Sequence, residues 1–213
     1  MKLGIDVDGV LARFNDGFLR IADRIWPRRI PAGFTPTEWD WSDAGLSSGE
    51  VDRVWESIRA TRNFWMSLPA YFDSVHSVAR ERIRHPEDEV FYCTARVPTE
   101  GLPVMHQTQR WLEMCGIAGV GTAVIVKPDG VSKASLYKRL RVAASLDDNL
   151  QMAMENNCLA GHHAFLLDHA WNRSRRPSSL SVVESVAAFY KSCRGEKLQD
   201  FSMDVADNKY AKA

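Results

Sequence analysis

Gly4-Ile5-Asp6-Val7-Asp8-Gly9-Val10-Leu11 is the most informative stretch of this chain. An apolar run ends in two carboxylates two residues apart, and a glycine follows them. Alternation along a strand points Asp6 and Asp8 the same way, and Gly9 lets the backbone turn sharply after them. A strand that runs into such a pair sets a nucleophile and a proton donor beside one divalent cation. That layout suits phosphoryl transfer, since an aspartate carboxylate can attack phosphorus. A calcium loop is the competing reading, but such a loop continues with further oxygen ligands and a closing Glu. Here the chain runs on through Val10, Leu11, Ala12 and Arg13.

Outward from that stretch, residues 2–8 form a buried strand, and Phe14, Phe18, Ile21, Ala22 and Ile25 share one helical face that Pro27 ends. Residues 28–72 change character: they hold Pro31, Gly33, Pro36 and Gly45, and four of the seven tryptophans, Trp39, Trp41, Trp55 and Trp65. They read as a small, mostly helical insertion over the first strand's end, its clearest helix at 50–61. From Ser74 onward helices and strands alternate. Val75, Val78, Ala79 and Ile83 make a helical face, with strands at 89–93, 122–126, 142–146 and 164–167. Helices fall at 104–116, where Trp111 and Leu112 point inward and Gly116 caps, at 133–140 with Ser132 as N-cap, at 149–158 and at 182–193. Such alternation gives an α/β fold, a Rossmann-like parallel sheet with helices on both faces, whose active site lies at the carboxyl ends of the strands. The division expected is a core of residues 1–12 and 73–195, a helical cap of 13–72 and a fraying tail of 196–213.

Bulk properties narrow the classes. A chain of 213 residues with 45% hydrophobic and 25% charged content is that of a soluble globular protein with one substantial core. Its 27 basic and 27 acidic residues cancel, so no basic stripe for coating nucleic acid is indicated. Cys93, Cys115, Cys158 and Cys193 are widely spaced, which fits reduced core thiols and a cytoplasmic setting better than disulfides or zinc. Asp6 and Asp8 interrupt the first apolar run too early for a signal peptide, and no stretch reaches the about 20 apolar residues of a membrane helix.

Four strand ends carry reactive residues: Asp6 and Asp8, then Thr94-Ala95-Arg96, then Asp147-Asp148-Asn149, then Asp168. In this order the chain resembles the haloacid dehalogenase-like hydrolases, whose motifs appear as Asp6-Val7-Asp8-Gly9, Thr94, a lysine, and Asp147-Asp148, over roughly residues 1–175. Within them it is most similar to the 5′(3′)-deoxyribonucleotidases and phage-type nucleotidases. Phe14 follows the nucleophile, Phe64-Trp65 closes the insertion, and Asp168-His169-Ala170-Trp171-Asn172 resembles the family's ending of the fifth strand.

The resemblance implies a Mg2+-dependent phosphatase for nucleoside monophosphates, deoxyribonucleotides favoured, that forms an aspartyl-phosphate. Asp6 would attack phosphorus and Asp8 would act as acid and then base. Asp6, the backbone carbonyl of Asp8 and the Asp147/Asp148 pair would hold Mg2+, Asp148 directly and Asp147 in support. Thr94 would hydrogen-bond a phosphoryl oxygen, with Ala95 and Arg96 beside it. Lys133, chosen over Lys127 and Lys138, would neutralise the transferring group. Phe14, Phe64 and Trp65 divide between stacking on a base and packing the cap. Arg96 reads equally as a surface arginine, while His106, His162 and His163 read as structural or solvated. The expected partner is a small phosphorylated substrate and no membrane; homodimerisation stays open. The alternatives are a phosphatase for another small phosphometabolite, a polynucleotide 3′-phosphatase, and a non-catalytic binding module on the same fold.

Overall fold

Six parallel strands stand in the order β3-β2-β1-β4-β5-β6 in the computed structural model, which describes residues 1–174 and 176–195. They are β1 Lys2–Asp6, β2 Glu89–Thr94, β3 Thr122–Val126, β4 Ala144–Asp147, β5 His163–Leu167 and β6 Ser181–Val183. The helices are α1 Phe14–Ile25, α2 Ser48–Ala60, α3 Phe72–Arg84, α4 Val104–Met114, α5 Lys133–Leu140, α6 Leu150–Asn157 and α7 Val186–Cys193. The first strand lies in the middle, paired with β2 on one side and β4 on the other. The chain therefore winds outward in both directions from β1, and the crevice of such a sheet opens where the winding reverses. Asp6 pairs with Cys93 and Thr94 with Val126, so the reactive strand ends share one edge.

Burial explains the sheet. Leu3, Ile5, Tyr92 and Leu146 are fully buried on strands covered from both faces. Helix caps follow the sequence signals: Ser132 accepts from the Ser135 N–H, Asn149 from Met152, Ser185 from Ala188, and Ser47 with Glu50 forms a reciprocal capping box. The insertion leaves the core at Ala12 and returns at Ala70, and an antiparallel bridge pairs these two points. Arg13 N–H donates to Pro69 O and Tyr71 N–H to Leu11 O, so entry and exit run side by side. The insertion then joins the core through Trp111, whose indole N–H donates to Leu68 O at 2.8 Å.

Several elements differ from the sequence reading. The helix expected at 182–193 begins only at Val186, because residues 181–183 add the edge strand β6 beside β5. That strand is three residues long and two of them are exposed, so it carries no alternating signal. Ile83 shares the apolar face of α3 by spacing, yet it is 82% exposed in the helix's last turn. His162 is buried rather than solvated: its Nδ1–H donates to Val142 O and its Nε2 accepts from Ser145 Oγ, both at 2.9 Å. The carbonyl can only accept, which fixes that tautomer, and burial holds the imidazole below its usual pKa. The tail expected at 196–213 lies outside the described residues.

Gly4 lets α5 pack against β1, since a Cβ there would stand 2.6 Å from ring atoms of the fully buried Tyr137. Gly4→Ala should therefore lower the unfolding free energy by about 1–3 kcal/mol, as overpacking does. Urea denaturation measures it; an unchanged midpoint would mean that α5 shifts freely away from the sheet.

Candidate active site

The site grows from one buried ammonium. Lys133, 2% exposed in the first turn of α5, lies 2.8 Å from Asp6 Oδ1 and 2.7 Å from Asp147 Oδ2. Ser132 starts the helix at that residue, which aims the lysine at the ends of β1 and β4. Lys138 is exposed on the same helix, and Lys127 donates to the neighbouring Pro128 O. Asp6 Oδ1 also accepts the Val7 N–H at 2.8 Å, and Asp147 Oδ1 accepts the Asn149 N–H at 2.9 Å. These bonds leave neither carboxylate free to rotate.

Asp148 completes an acidic cluster. Asp6, Asp147 and Asp148 are all buried, and one ligand atom from each lies within 4.8 Å of the others. Asp148 Oδ2 accepts the Trp171 indole N–H at 3.2 Å, while its Oδ1 is buried without a hydrogen-bond partner among the described residues. Gly9 makes room for it: Gly9 has φ +78°, and a Cβ there would stand 2.0 Å from Asp148 Oδ2. Asn172, anticipated at the end of the fifth strand, donates to both Asp148 O and Leu167 O at 2.8 Å.

One ammonium against three carboxylates leaves excess negative charge. Burial first, opposed by Lys133 and reinforced by Asp147 and Asp8, pushes the Asp6 carboxyl up to about 7. Burial and then the Asp6 and Asp147 charges push Asp148 well above the usual carboxylate range. Burial disfavours the Lys133 ammonium, but Asp147 and Asp6 outweigh it and hold the lysine firmly protonated. Hard oxygens, surplus negative charge and a buried oxygen with no donor fit a divalent cation.

Asp8 faces a different set. Arg96, its side chain fully buried, grips both oxygens, with Nε 2.9 Å from Oδ2 and Nη2 2.8 Å from Oδ1. The same guanidinium donates to Thr108 Oγ1 at 3.0 Å and lies 4.9 Å over the Trp65 ring. Thr94 Oγ1, expected at a phosphoryl oxygen, also donates to Asp8 here, at 3.0 Å. The carboxylate is the strongest acceptor within their reach, and a fork of charge-assisted bonds outweighs solvation of a surface arginine. Arg96 is therefore part of the site rather than a surface residue.

A cavity of about 390 Å3 opens above these groups. Asp6, Asp8, Thr94, Ala95, Arg96 and Lys133 floor it, and Phe14, Trp39, Trp41, Trp55 and Trp65 from the insertion wall it. Phe18 stacks on Trp41 at 3.9 Å and Phe14 on Trp55 at 5.4 Å, so the wall is one aromatic cluster. Phe64 is fully buried behind it, edge-on to Phe14 and Trp65, and does not line the cavity. A more open groove of about 680 Å3 runs alongside, sharing Trp39 and Asn149, but none of the clustered carboxylates lines it. Asp168 turns away from the cluster to Arg173 and Arg176, whose hydrogen bonds hold its carboxyl down at about 2. Trp39, Trp41 and Trp55 were visible only as an unusual density of tryptophan. His169 and Trp171 stand in the sequence only as part of the Asp168–Asn172 ending, with no role of their own.

This geometry meets known structures at the level of the fold. A haloacid dehalogenase-like family hydrolase from Streptococcus pneumoniae superposes with a TM-score of 0.57 at 10% identity, covering 90% of this chain and 97% of that one. L-2-haloacid dehalogenase from Xanthobacter autotrophicus gives 0.53 at 11%, covering 92% and 99%. CbbY from Rhodobacter sphaeroides, solved in complex with phosphate, gives 0.51 at 15%, covering 87% and 94%. The chain has the haloacid dehalogenase-like fold. No family profile matches its sequence, and no curated protein does.

Crowding of charge predicts a stability effect. With cation removed by chelator, Asp148→Asn should raise the unfolding free energy by about 0.5–2 kcal/mol at pH 8. The native state holds a proton on a carboxyl of raised pKa more tightly than the unfolded chain does. The penalty is thus absent below the ordinary carboxylate range and grows as pH rises through the raised value. The gain should accordingly shrink toward pH 4; a pH-independent gain would rule out charge crowding as its source.

Proposed function

We propose that this protein is a Mg2+-dependent phosphomonoesterase for nucleoside monophosphates, deoxyribonucleotides favoured. The observation that carries the reading is the meeting of a carboxylate pair at the end of β1 with an aromatic-walled cavity directly above it. The first supplies the chemistry; the second suits a planar base better than a sugar. The fold is shared with a protein solved with phosphate bound, which supports the hydrolase class but not the nucleotide.

Asp6, Asp147 and Asp148, with the backbone carbonyl of Asp8, would hold the cation. When bound, it offsets the repulsion between a carboxylate nucleophile and a phosphate dianion. Lys133 and Val7 N–H engage Asp6 Oδ1, leaving Oδ2 to attack phosphorus. The P–O ester bond breaks, and the leaving alkoxide takes a proton from Asp8. Water then attacks the aspartyl-phosphate, giving its proton back to Asp8 and releasing Asp6 and inorganic phosphate. Lys133 lies ready to neutralise the transferring group, and Ala95 lines the phosphate's end of the cavity. Arg96 and Thr94 orient Asp8 so that one carboxyl serves both proton transfers. Phe14, Trp55 and Trp65 would stack on the base, with Phe64 bracing them from behind.

A panel of 5′- and 3′-nucleotides, sugar phosphates and a generic aryl phosphate tests this. Nucleotides should be hydrolysed with the highest kcat/KM, and Asp6→Asn should lose turnover by several orders of magnitude while keeping its melting temperature. Equal rates on sugar phosphates would remove the nucleotide assignment and leave a general phosphatase. Trp55→Ala should weaken nucleotide binding by about 1–3 kcal/mol, the worth of one stacked base, seen in KM more than in kcat. An unchanged KM would place the base elsewhere.

A further inference from the structure

We infer that Trp171 is a positioning residue for the cation site, acting through Asp148. The inference rests on the proposed Mg2+ site and names a residue outside the acidic cluster that sets its geometry. The indole N–H donates to Asp148 Oδ2 at 3.2 Å. That bond leaves Oδ1, the buried oxygen without a hydrogen-bond partner among the described residues, as the one available to the cluster of Asp6 and Asp147. Trp171 is itself held. Its ring stacks on His169 at 4.0 Å with the planes 10° apart. The His169 Nε2–H donates to Gly9 O at 2.8 Å. Gly9 closes the Asp6-Val7-Asp8-Gly9 turn, and its bare α-carbon is what lets Asp148 approach.

The loop after β5 therefore ties two sequence-distant carboxylate motifs together. It holds the Asp8–Gly9 turn through His169, the Asp148 side chain through Trp171, and the Asp148 backbone through Asn172. A small space of about 40 Å3, lined by Asp8, Gly9, Asp148, Trp39 and Trp171 among others, lies where these meet. Carboxylate ligands crowded by like charge swing apart unless something fixes them, and partners beyond the ligands commonly govern metal affinity. Here an aromatic N–H supplies that restraint without adding a charge. A lysine in its place would cancel the negative charge that attracts the cation.

Calorimetric titration of the full chain with Mg2+ alone tests the inference. Trp171→Phe leaves a phenyl ring beside His169 and removes the indole N–H together with part of the bicycle. It should bind Mg2+ about 10–100-fold more weakly than the unsubstituted chain, the usual effect of losing such a partner. Its melting temperature in chelator should fall by only a few degrees, the cost of one donor lost to a buried carboxyl. Hydrolysis should be lost at low Mg2+ and regained at high Mg2+, a rescue that a damaged fold would not give. Trp26→Phe, at the far end of α1, should bind Mg2+ normally. If Trp171→Phe binds Mg2+ as tightly as the unsubstituted chain, and Asp148→Asn binds it far more weakly, the role of Trp171 is overturned while the cation site stands. If the unsubstituted chain takes up no Mg2+, both fall together.

Discussion

The rest of the site depends on a single ammonium buried between two carboxylates. Lys133 bonds to Asp6 at the end of β1 and Asp147 at the end of β4, adjacent strands in the middle of the sheet. A charge so deeply buried is tolerated only when paired, and this one is paired twice. With Asp148, three carboxyls crowd this one ammonium, which cannot neutralise them all once they ionise. That excess of carboxyls suits the pocket to a cation and disfavours an anion that arrives without one. Electrostatics and topology agree, because the winding reversal at β1 is where the fold leaves its crevice.

Around this pair the site divides into two halves with different partners. On one side Asp147 and Asp148 are fixed by backbone amides, Asn172 and Trp171. On the other, Asp8 is held by Arg96 and Thr94, and Arg96 is braced by Thr108 of α4 and the face of Trp65. Asp8 therefore belongs as much to the insertion and α4 as to the strand it follows. A shift of the insertion against the core would reach Asp8 through Trp65 and Arg96 before it reached Asp6.

Much of this was legible in the order of residues. Strand ends are marked by apolar runs that stop at polar residues, so Asp6, Asp8, Thr94 and Asp147-Asp148 announce themselves. The family resemblance calls for a lysine, and Lys133 is the candidate that stands in the first turn of the helix before β4. Arg96 was not separable from a surface arginine, because its fork depends on Asp8, 88 residues away in sequence. His162 reads as solvated for the same reason: the carbonyl and hydroxyl that hold it come from the segment around β4. Phe64 and Trp65 are neighbours in an aromatic pair, yet one lines the cavity and the other packs behind it, a distinction made by the turn of a short 3-10 helix, Phe64–Ser67. Local pattern reads which residues are buried better than it reads what they are buried against.

The bridge between Ala12 and Ala70 has an evolutionary corollary. Because the insertion starts and finishes at one spot on the sheet's rim, its length and content can change while the strands beneath keep their register. Selection can thus remodel the roof over the carboxylates while the strands below stay put, provided the contact of Trp65 with Arg96, and so with Asp8, is kept. The same two-stranded neck would let an engineer graft a foreign roof onto this base at residues 12 and 70.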